Sequence, residues 1–199
     1  MAFLTVSLEM SGRRAVVIGA GSVALRKVRN LLECGAGVRL VAPRACDELA
    51  RMAADGVLEW RPAPYTAADF EQCFLAVAAT DDPALNRRIA DDARSQGILV
   101  NTASPNDAGD TLFPALLKRD RLEVAVSSSG LCPAYAVAVR DLLAEIIGPE
   151  FGPALTEAAA LREKLLTDPE GTPYNIEDLR THVQRLVRAI AARNRDTAP

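Results

Sequence analysis

The stretch "RRAVVIGAGSVALRKVRNLLECGAGVRLVAP", residues 13–43, restricts the fold more than any other part of the chain. It opens with a short β-branched apolar run, 13–19, of the kind buried on both faces of a parallel sheet. The run ends at Gly19-Ala20-Gly21-Ser22-Val23-Ala24, a G-x-G-x-x-A turn. It then enters a segment, 22–35, whose Val23, Leu25, Val28, Leu31 and Leu32 fall mostly on one helical face. Gly35 supplies a helix stop, and 38–43 is a second strand. Strand, glycine turn, helix and strand in such close succession commit the chain to an α/β architecture.

The alternation continues. Residues 46–56 form a helix closed by Gly56, and strands are expected at 57–61 and 74–80. Segment 81–97 has an acidic start, Pro83 in its first turn and Gly97 at its exit, which is the punctuation of a helix, and 98–101 is a fifth strand. The expected fold is therefore an α/β, doubly wound parallel sheet. After residue 112 the pattern changes to a turn around Lys118–Arg121, one more strand at Leu122–Val126, and a helical tail over about 133–147, 153–166 and 176–194. Asn175, at the end of a Pro/Gly loop (167–175), can cap the last helix. Leu179, Val183, Leu186, Val187 and Ile190 form a stripe on that helix, to be packed on its own domain or on a partner subunit. Three regions are expected: 1–112, 113–147 and 148–199.

At 199 residues, 49% hydrophobic and 25% charged, the composition is that of an ordinary globular protein. The net charge of −3 leaves no global basic footprint for nucleic acid. Cys34, Cys46, Cys73 and Cys132 show no C-x-x-C spacing, and His182 is the single histidine, so no metal site is expected and free thiols in a reducing cytoplasm are. No apolar run reaches the roughly 18–20 residues of a membrane span, and residues 1–14 lack the basic start of a secretory signal. The alternation at 3–8 suggests a short lead-in strand or an apolar flap.

In a G-x-G-x-x-A turn, Gly19 makes the tight bend, Gly21 lets backbone approach a pyrophosphate, and Ala24 lets the helix lie close on the strand. The helix N-terminus then offers N–H groups and positive dipole to phosphate. The carboxylate that usually holds ribose hydroxyls is missing: the second strand ends Val41-Ala42-Pro43-Arg44, and Asp47 already lies in the next helix. Either Arg44 pairs with a 2′-phosphate, or backbone around residues 42–44 holds the ribose; the residues by themselves leave both open.

The ordered motifs "GAGSVALRKVRNLLECGAGVRLVAP" (19–43), "FLAVAATDDPALN" (74–86), Val100-Asn101, Phe113-Pro114-Ala115 and "LEVAVSSSGLCPAYAVAVRDLL" (122–143) resemble the siroheme-synthase N-terminal family, over about residues 1–147. That family comprises precorrin-2 dehydrogenases, some of them also sirohydrochlorin ferrochelatases. The resemblance implies a Rossmann sheet followed by a dimerisation and substrate-binding segment, 113–147, and a helical C-terminal region. It implies the NAD-dependent removal of two hydrogens from the tetrapyrrole precorrin-2 in sirohaem biosynthesis; the cytoplasm is the default location, and a homodimer is expected through the helical half of the chain. A bifunctional dehydrogenase and chelatase, or a non-catalytic NAD- or tetrapyrrole-binding module, are the alternatives. Pro43 and Arg44 would line the adenosine half of NAD, Gly19, Gly21, Ser22 and Val23 the pyrophosphate turn, and Ala79 and Thr80 the approach to the nicotinamide. Because 199 residues leave no second large domain, the methyltransferase half of some relatives is expected to be absent.

Precorrin-2 carries eight carboxylates, so its site calls for donors. Asn101 and the turn Ser127-Ser128-Ser129-Gly130, ahead of a helix N-terminus, are the candidates, with Lys118, Arg119, Arg121 and Arg140 as local positive charge. One departure from the family pattern bears on catalysis. Members commonly read Val-Asn-x-x-Asp, whose aspartate is the favoured general base, and Ser104 stands in that place here. A serine hydroxyl is not basic near neutral pH. Either Asp107 or Asp110 supplies the base from the same loop, or hydride transfer proceeds without a protein base, or activity is lost. Chelatase chemistry, which must strip pyrrole N–H protons, is the more affected.

Overall fold

The computed structural model describes residues 3–103, 109–167 and 176–197. The chain divides into two compact units, Ala2–Phe113 and Pro114–Pro199.

The first unit is a five-stranded sheet of β1 (Arg14–Ile18), β2 (Gly37–Val41), β3 (Glu59–Arg61), β4 (Cys73–Ala78) and β5 (Leu99–Thr102), in the order β3-β2-β1-β4-β5. All four pairings are parallel. β1 is central and buried on both faces. Ala15 and Val17 enter one core with Val28, Leu31, Leu40, Leu49 and Val77, while Val16 and Ile18 enter the other with Phe70, Ile89, Ala93 and Val100. The helices α1 (Ser22–Glu33), α2 (Asp47–Ala54) and α3 (Pro83–Ser95) are those the sequence led us to expect, α1 shorter at its C-terminal end and the other two at both ends. Strand order reverses between β1 and β4. In open α/β sheets ligands lie outside the carboxyl ends of the strands at such a point.

Residues 3–8 form no strand, and Leu4, Val6 and Leu8 are exposed, so the expected lead-in strand is not observed. Alternation alone does not make a strand where no sheet edge accepts it.

The second unit starts with an antiparallel hairpin, β6 (Ala115–Arg119) and β7 (Leu122–Val126). Strand β6 is an addition to the sequence expectation, which placed a turn from Lys118. The chain stays extended through Arg119 and turns at Asp120, whose φ is +52°. Its consecutive leucines, Leu116 and Leu117, hide the period of two by which strands are recognised. Three helices follow: α4 (Pro133–Ile146), α5 (Phe151–Thr167) and α6 (Ile176–Thr197). The guanidinium of Arg119 donates from Nε to the Ile147 carbonyl (2.7 Å) and from a terminal nitrogen to that of Ala144 (3.1 Å), fastening the hairpin to the end of α4. Of the stripe on α6, Ile190 is buried, Leu179, Val183 and Leu186 are half-buried and Val187 is exposed. The expected cap Asn175 lies outside the described residues. Among the described residues no helix is long and apolar enough to cross a membrane.

Candidate dinucleotide site

At the carboxyl end of β1 the chain turns through Gly19 at a φ of +100°. Its N–H donates to the Val41 carbonyl (3.0 Å), and Ala79 N–H donates to the Ile18 carbonyl (2.8 Å), so β1 stays gripped by both neighbours up to the bend. A Cβ on Gly19 would sit 2.3 Å from the Ala79 carbonyl oxygen and 2.9 Å from Thr80 N, both backbone atoms. Backbone conformation and crowding thus exclude any other residue. Gly21 is the opposite case. It is extended, at φ −87°, and a Cβ there would meet nothing within 4 Å.

Gly21 is also the N-cap of α1. Among the described residues no side chain caps the helix, and its first turn carries no acid. Ser22 and Val23 at the start of the helix are exposed, and a Cβ on Gly21 beside them would meet no described atom within 4 Å. Such a cradle suits a pyrophosphate.

Each neighbouring strand end has a backbone fastening. On the β2 side Cys46 N–H donates to the Ala20 carbonyl (3.2 Å), and the Trp60 indole N–H donates to that of Ala42 (3.0 Å). Pro43 and Arg44 follow, exposed, and the first acids after them are Asp47 and Glu48 in the first turn of α2. On the β4 side, Ala79 is buried and Thr80 half-buried. Thr80 N–H (3.1 Å) and hydroxyl (2.8 Å) both approach Asn86 Oδ1, and Asn86 Nδ2 donates to the Thr80 carbonyl (3.0 Å). Asp82 accepts from Ala84 N–H (2.8 Å) and Leu85 N–H (3.2 Å), capping α3. Asn86 is fully buried, and sequence reasoning missed it; polar Asn at N4 of a helix gives no local sign that it turns back onto the strand end.

The end of β5 holds a second residue missed from sequence. Lys27 is 8% exposed, on the α1 face shared with Ala24, Val28 and Leu31. Its ammonium donates to Asn101 Oδ1 (2.5 Å) and lies 4.3 Å from the centre of the Phe113 ring. Burial, aided by the adjacent Arg26 charge, pushes its pKa down to about 8. Asn101 Nδ2 donates to the Thr111 carbonyl (2.7 Å), so both ends of this buried carboxamide are engaged within the protein. The Asp110 carboxylate accepts from Val100 N–H (2.7 Å). Ser104 and Asp107 lie outside the described residues. A lysine among apolar positions of α1 was the available sequence signal.

In the second unit, the serine turn leads from β7 into α4. Ser128 Oγ accepts from Cys132 N–H (3.2 Å), Ser127 Oγ accepts from Ser129 N–H (3.1 Å), and Ser129 has a φ of +52°. Ser127, Ser129 and Gly130 are exposed, Ser128 half-buried. Of the basic residues nearby in sequence, Lys118 pairs with Glu123 (3.6 Å), Arg140 pairs with Asp141 (2.5 Å), Arg119 is committed to α4, and Arg121 is exposed.

A five-stranded parallel sheet, a strand-order reversal at β1, and an uncapped helix behind a glycine cradle define the class: an α/β protein that binds a dinucleotide. The chain belongs to the family described as "Putative NAD(P)-binding", which matches residues 6–115. It is 41% identical over 152 residues to the siroheme synthase of Chromobacterium violaceum, a match covering 76% of this chain and 32% of the relative. Against the siroheme synthase of Pseudomonas entomophila it is 37% identical over 165 residues, 83% of this chain and 36% of the relative. The chain thus spans about a third of the length of these curated relatives. Among solved structures it resembles "SirC, precorrin-2 dehydrogenase", with a TM-score of 0.70 and 25% identity, over 94% of this chain and all of that one.

Proposed function

We propose that this chain is an NAD-dependent dehydrogenase that oxidises precorrin-2 to sirohydrochlorin in tetrapyrrole biosynthesis. Its likeness to a precorrin-2 dehydrogenase, over the whole length of that protein, carries the proposal, and the cradle between Gly19 and Gly21 supplies the cofactor end. The substrate loses two hydrogens, one as hydride and one as a proton. When bound, NAD supplies the hydride acceptor.

The chain's own residues position and hold. N–H groups at Ser22 and Val23 would hold the pyrophosphate, and Gly21 would admit it. Pro43 and Arg44 would line the adenosine half, with backbone in the place of a ribose carboxylate. Ala79 and Thr80 flank the nicotinamide approach, where Asn86 keeps Thr80 from turning away. Aligned hydride donor and acceptor account for much of such a reaction. Ser104 and Asp107 are the candidates for handling the proton, and Asp107 is the one with a carboxylate. The turn 127–130, in segment 113–147, is the candidate for substrate carboxylates, whereas the amide nitrogen of Asn101 is committed to the Thr111 carbonyl.

Purified protein given precorrin-2 with NAD should develop the sirohydrochlorin spectrum, and NADP in a parallel arm fixes cofactor choice. No oxidation with either cofactor would overturn the proposal. Asp107→Ala is expected to lower kcat, and Ser104→Ala to leave it nearly unchanged.

We further infer a homodimer formed through the second unit, in the cytoplasm. Tyr135, Leu142 and Ile146 are exposed at 68%, 57% and 50% on one stripe of α4, and α5 and α6 follow it in that unit.

A further inference from the structure

The carboxyl end of β5 opens a loop whose two stems are stitched together. Asp110 N–H and Thr111 N–H both donate to the Val100 carbonyl (3.0 and 3.1 Å), and Val100 N–H donates to the Asp110 carboxylate. The stems run so close that a Cβ on Gly109 would lie 3.0 Å from Thr102 N and 3.2 Å from the Val100 carbonyl oxygen. All of these links join one stem to the other. The link from Asn101 Oδ1 to the Lys27 ammonium runs instead to α1, the helix that begins at the glycine cradle.

The packing of α1 does not call for a charge at this point. Leucine or methionine would fill the same buried face without stripping water from an ammonium, a step that burial makes unfavourable. What the ammonium adds is direction. Its three hydrogens can only donate, so Asn101 must present its oxygen to Lys27. The amide nitrogen is thereby turned to the Thr111 carbonyl on the opposite stem. The Phe113 ring, two residues beyond Thr111, completes the seat of the ammonium from the same side. With no donor at position 27, the carboxamide is free to rotate and Thr111 loses its fixed partner.

We propose that Lys27 is a positioning residue, which acts through Asn101 to lock both stems of the loop between β5 and Phe113 onto the helix that holds the dinucleotide. The part of this proposal that concerns turnover rests on the dehydrogenase reading. The part that concerns the stems does not.

Three variants of the full-length protein test it: Lys27→Met, Lys27→Arg and Asn101→Leu. Amide hydrogen exchange should show protection at Val100, Asp110 and Thr111 falling at least ten-fold in Lys27→Met and Asn101→Leu, with Leu40 and Val77 unchanged. Lys27→Arg, which still donates to the carboxamide, should recover most of the protection. NADH affinity, read by nucleotide fluorescence, should stay within about two-fold of wild type. With precorrin-2, kcat should fall at least ten-fold in Lys27→Met while KM for NAD holds, and Lys27→Arg should restore most of it. Unchanged stem protection in Asn101→Leu, or loss spread evenly over the core amides, would overturn the proposal. A wild-type protein that does not oxidise precorrin-2 would sink the dehydrogenase assignment instead, and the exchange pattern would still decide the clamp.

Discussion

Gly19 and Gly21 look equivalent in a motif but differ physically, and substitution should separate them. Gly19→Ala forces a Cβ against the Ala79 carbonyl at a φ of +100°, so it should cost stability outright and lower the melting temperature. Gly21→Ala meets open space at an ordinary φ. Its melting temperature should stay near that of the wild type, while NADH affinity in a fluorescence titration drops ten-fold or more as the methyl enters the pyrophosphate cradle. Lys27 gives a second prediction at this scale. Its pKa is lowered from 10.5 to about 8 on folding, so between those values the unfolded chain binds more protons than the native one, and stability rises with pH. The wild type should therefore gain about 1 kcal/mol over Lys27→Met between pH 7 and 9, measured as the difference in urea unfolding free energy. Cys73, whose thiol burial pushes up to about 11, acts in the opposite sense from pH 9 upward, but it is common to both proteins.

Among the elements, the strand ends decide the site, and each is fastened by a polar side chain that reaches back to backbone. Trp60 does this for β2, Asn86 for β4, and Asn101 for β5. The turns beyond these strands are thus held in place at the edge where a ligand must be met. The same device joins β6 to α4, where the Arg119 guanidinium takes two carbonyls at the helix C-terminus, the end a cation favours. Arg119→Met keeps the stem of the side chain but leaves both carbonyls unmatched. It should destabilise the protein by about 1–3 kcal/mol in urea unfolding, with NADH affinity retained because the glycine cradle belongs to the other unit. An NADH affinity that fell in parallel would contradict the assignment of the cradle to the first unit.

For the molecule as a whole, the glycine cradle lies in the first unit and an exposed apolar helix face in the second. A stripe of Tyr135, Leu142 and Ile146 is a surface that a second copy would cover at the gain of about 25 cal/mol for each Å² buried. Sedimentation equilibrium should return twice the mass of 21.3 kDa at micromolar concentration. The pair Leu142→Glu and Ile146→Glu should return the monomer mass. A wild type that sediments as a monomer would refute the dimer.

The five parallel strands and the helices between them were legible in the sequence. The signals are local: short apolar runs, one-sided helices, and glycine, proline or aspartate at their ends. So was the glycine turn, because its chemistry is contained within six residues. Strand β6 was not, since two adjacent leucines blur the period that marks a strand. Nor were the pairings that shape the site. Lys27 and Asn101 are 74 residues apart, and a lysine on a helix reads as solvated until β5 and Phe113 are laid beside it. Asn86 turns back onto Thr80 only because α3 packs over the end of β4. Gly19 is barred from a side chain by Ala79, sixty residues along the chain. The sequence determined which segments become strand, turn and helix, for those choices depend on neighbours within a turn or two. Tertiary structure alone decided which polar atoms meet, since that depends on the order in which the strands lie side by side.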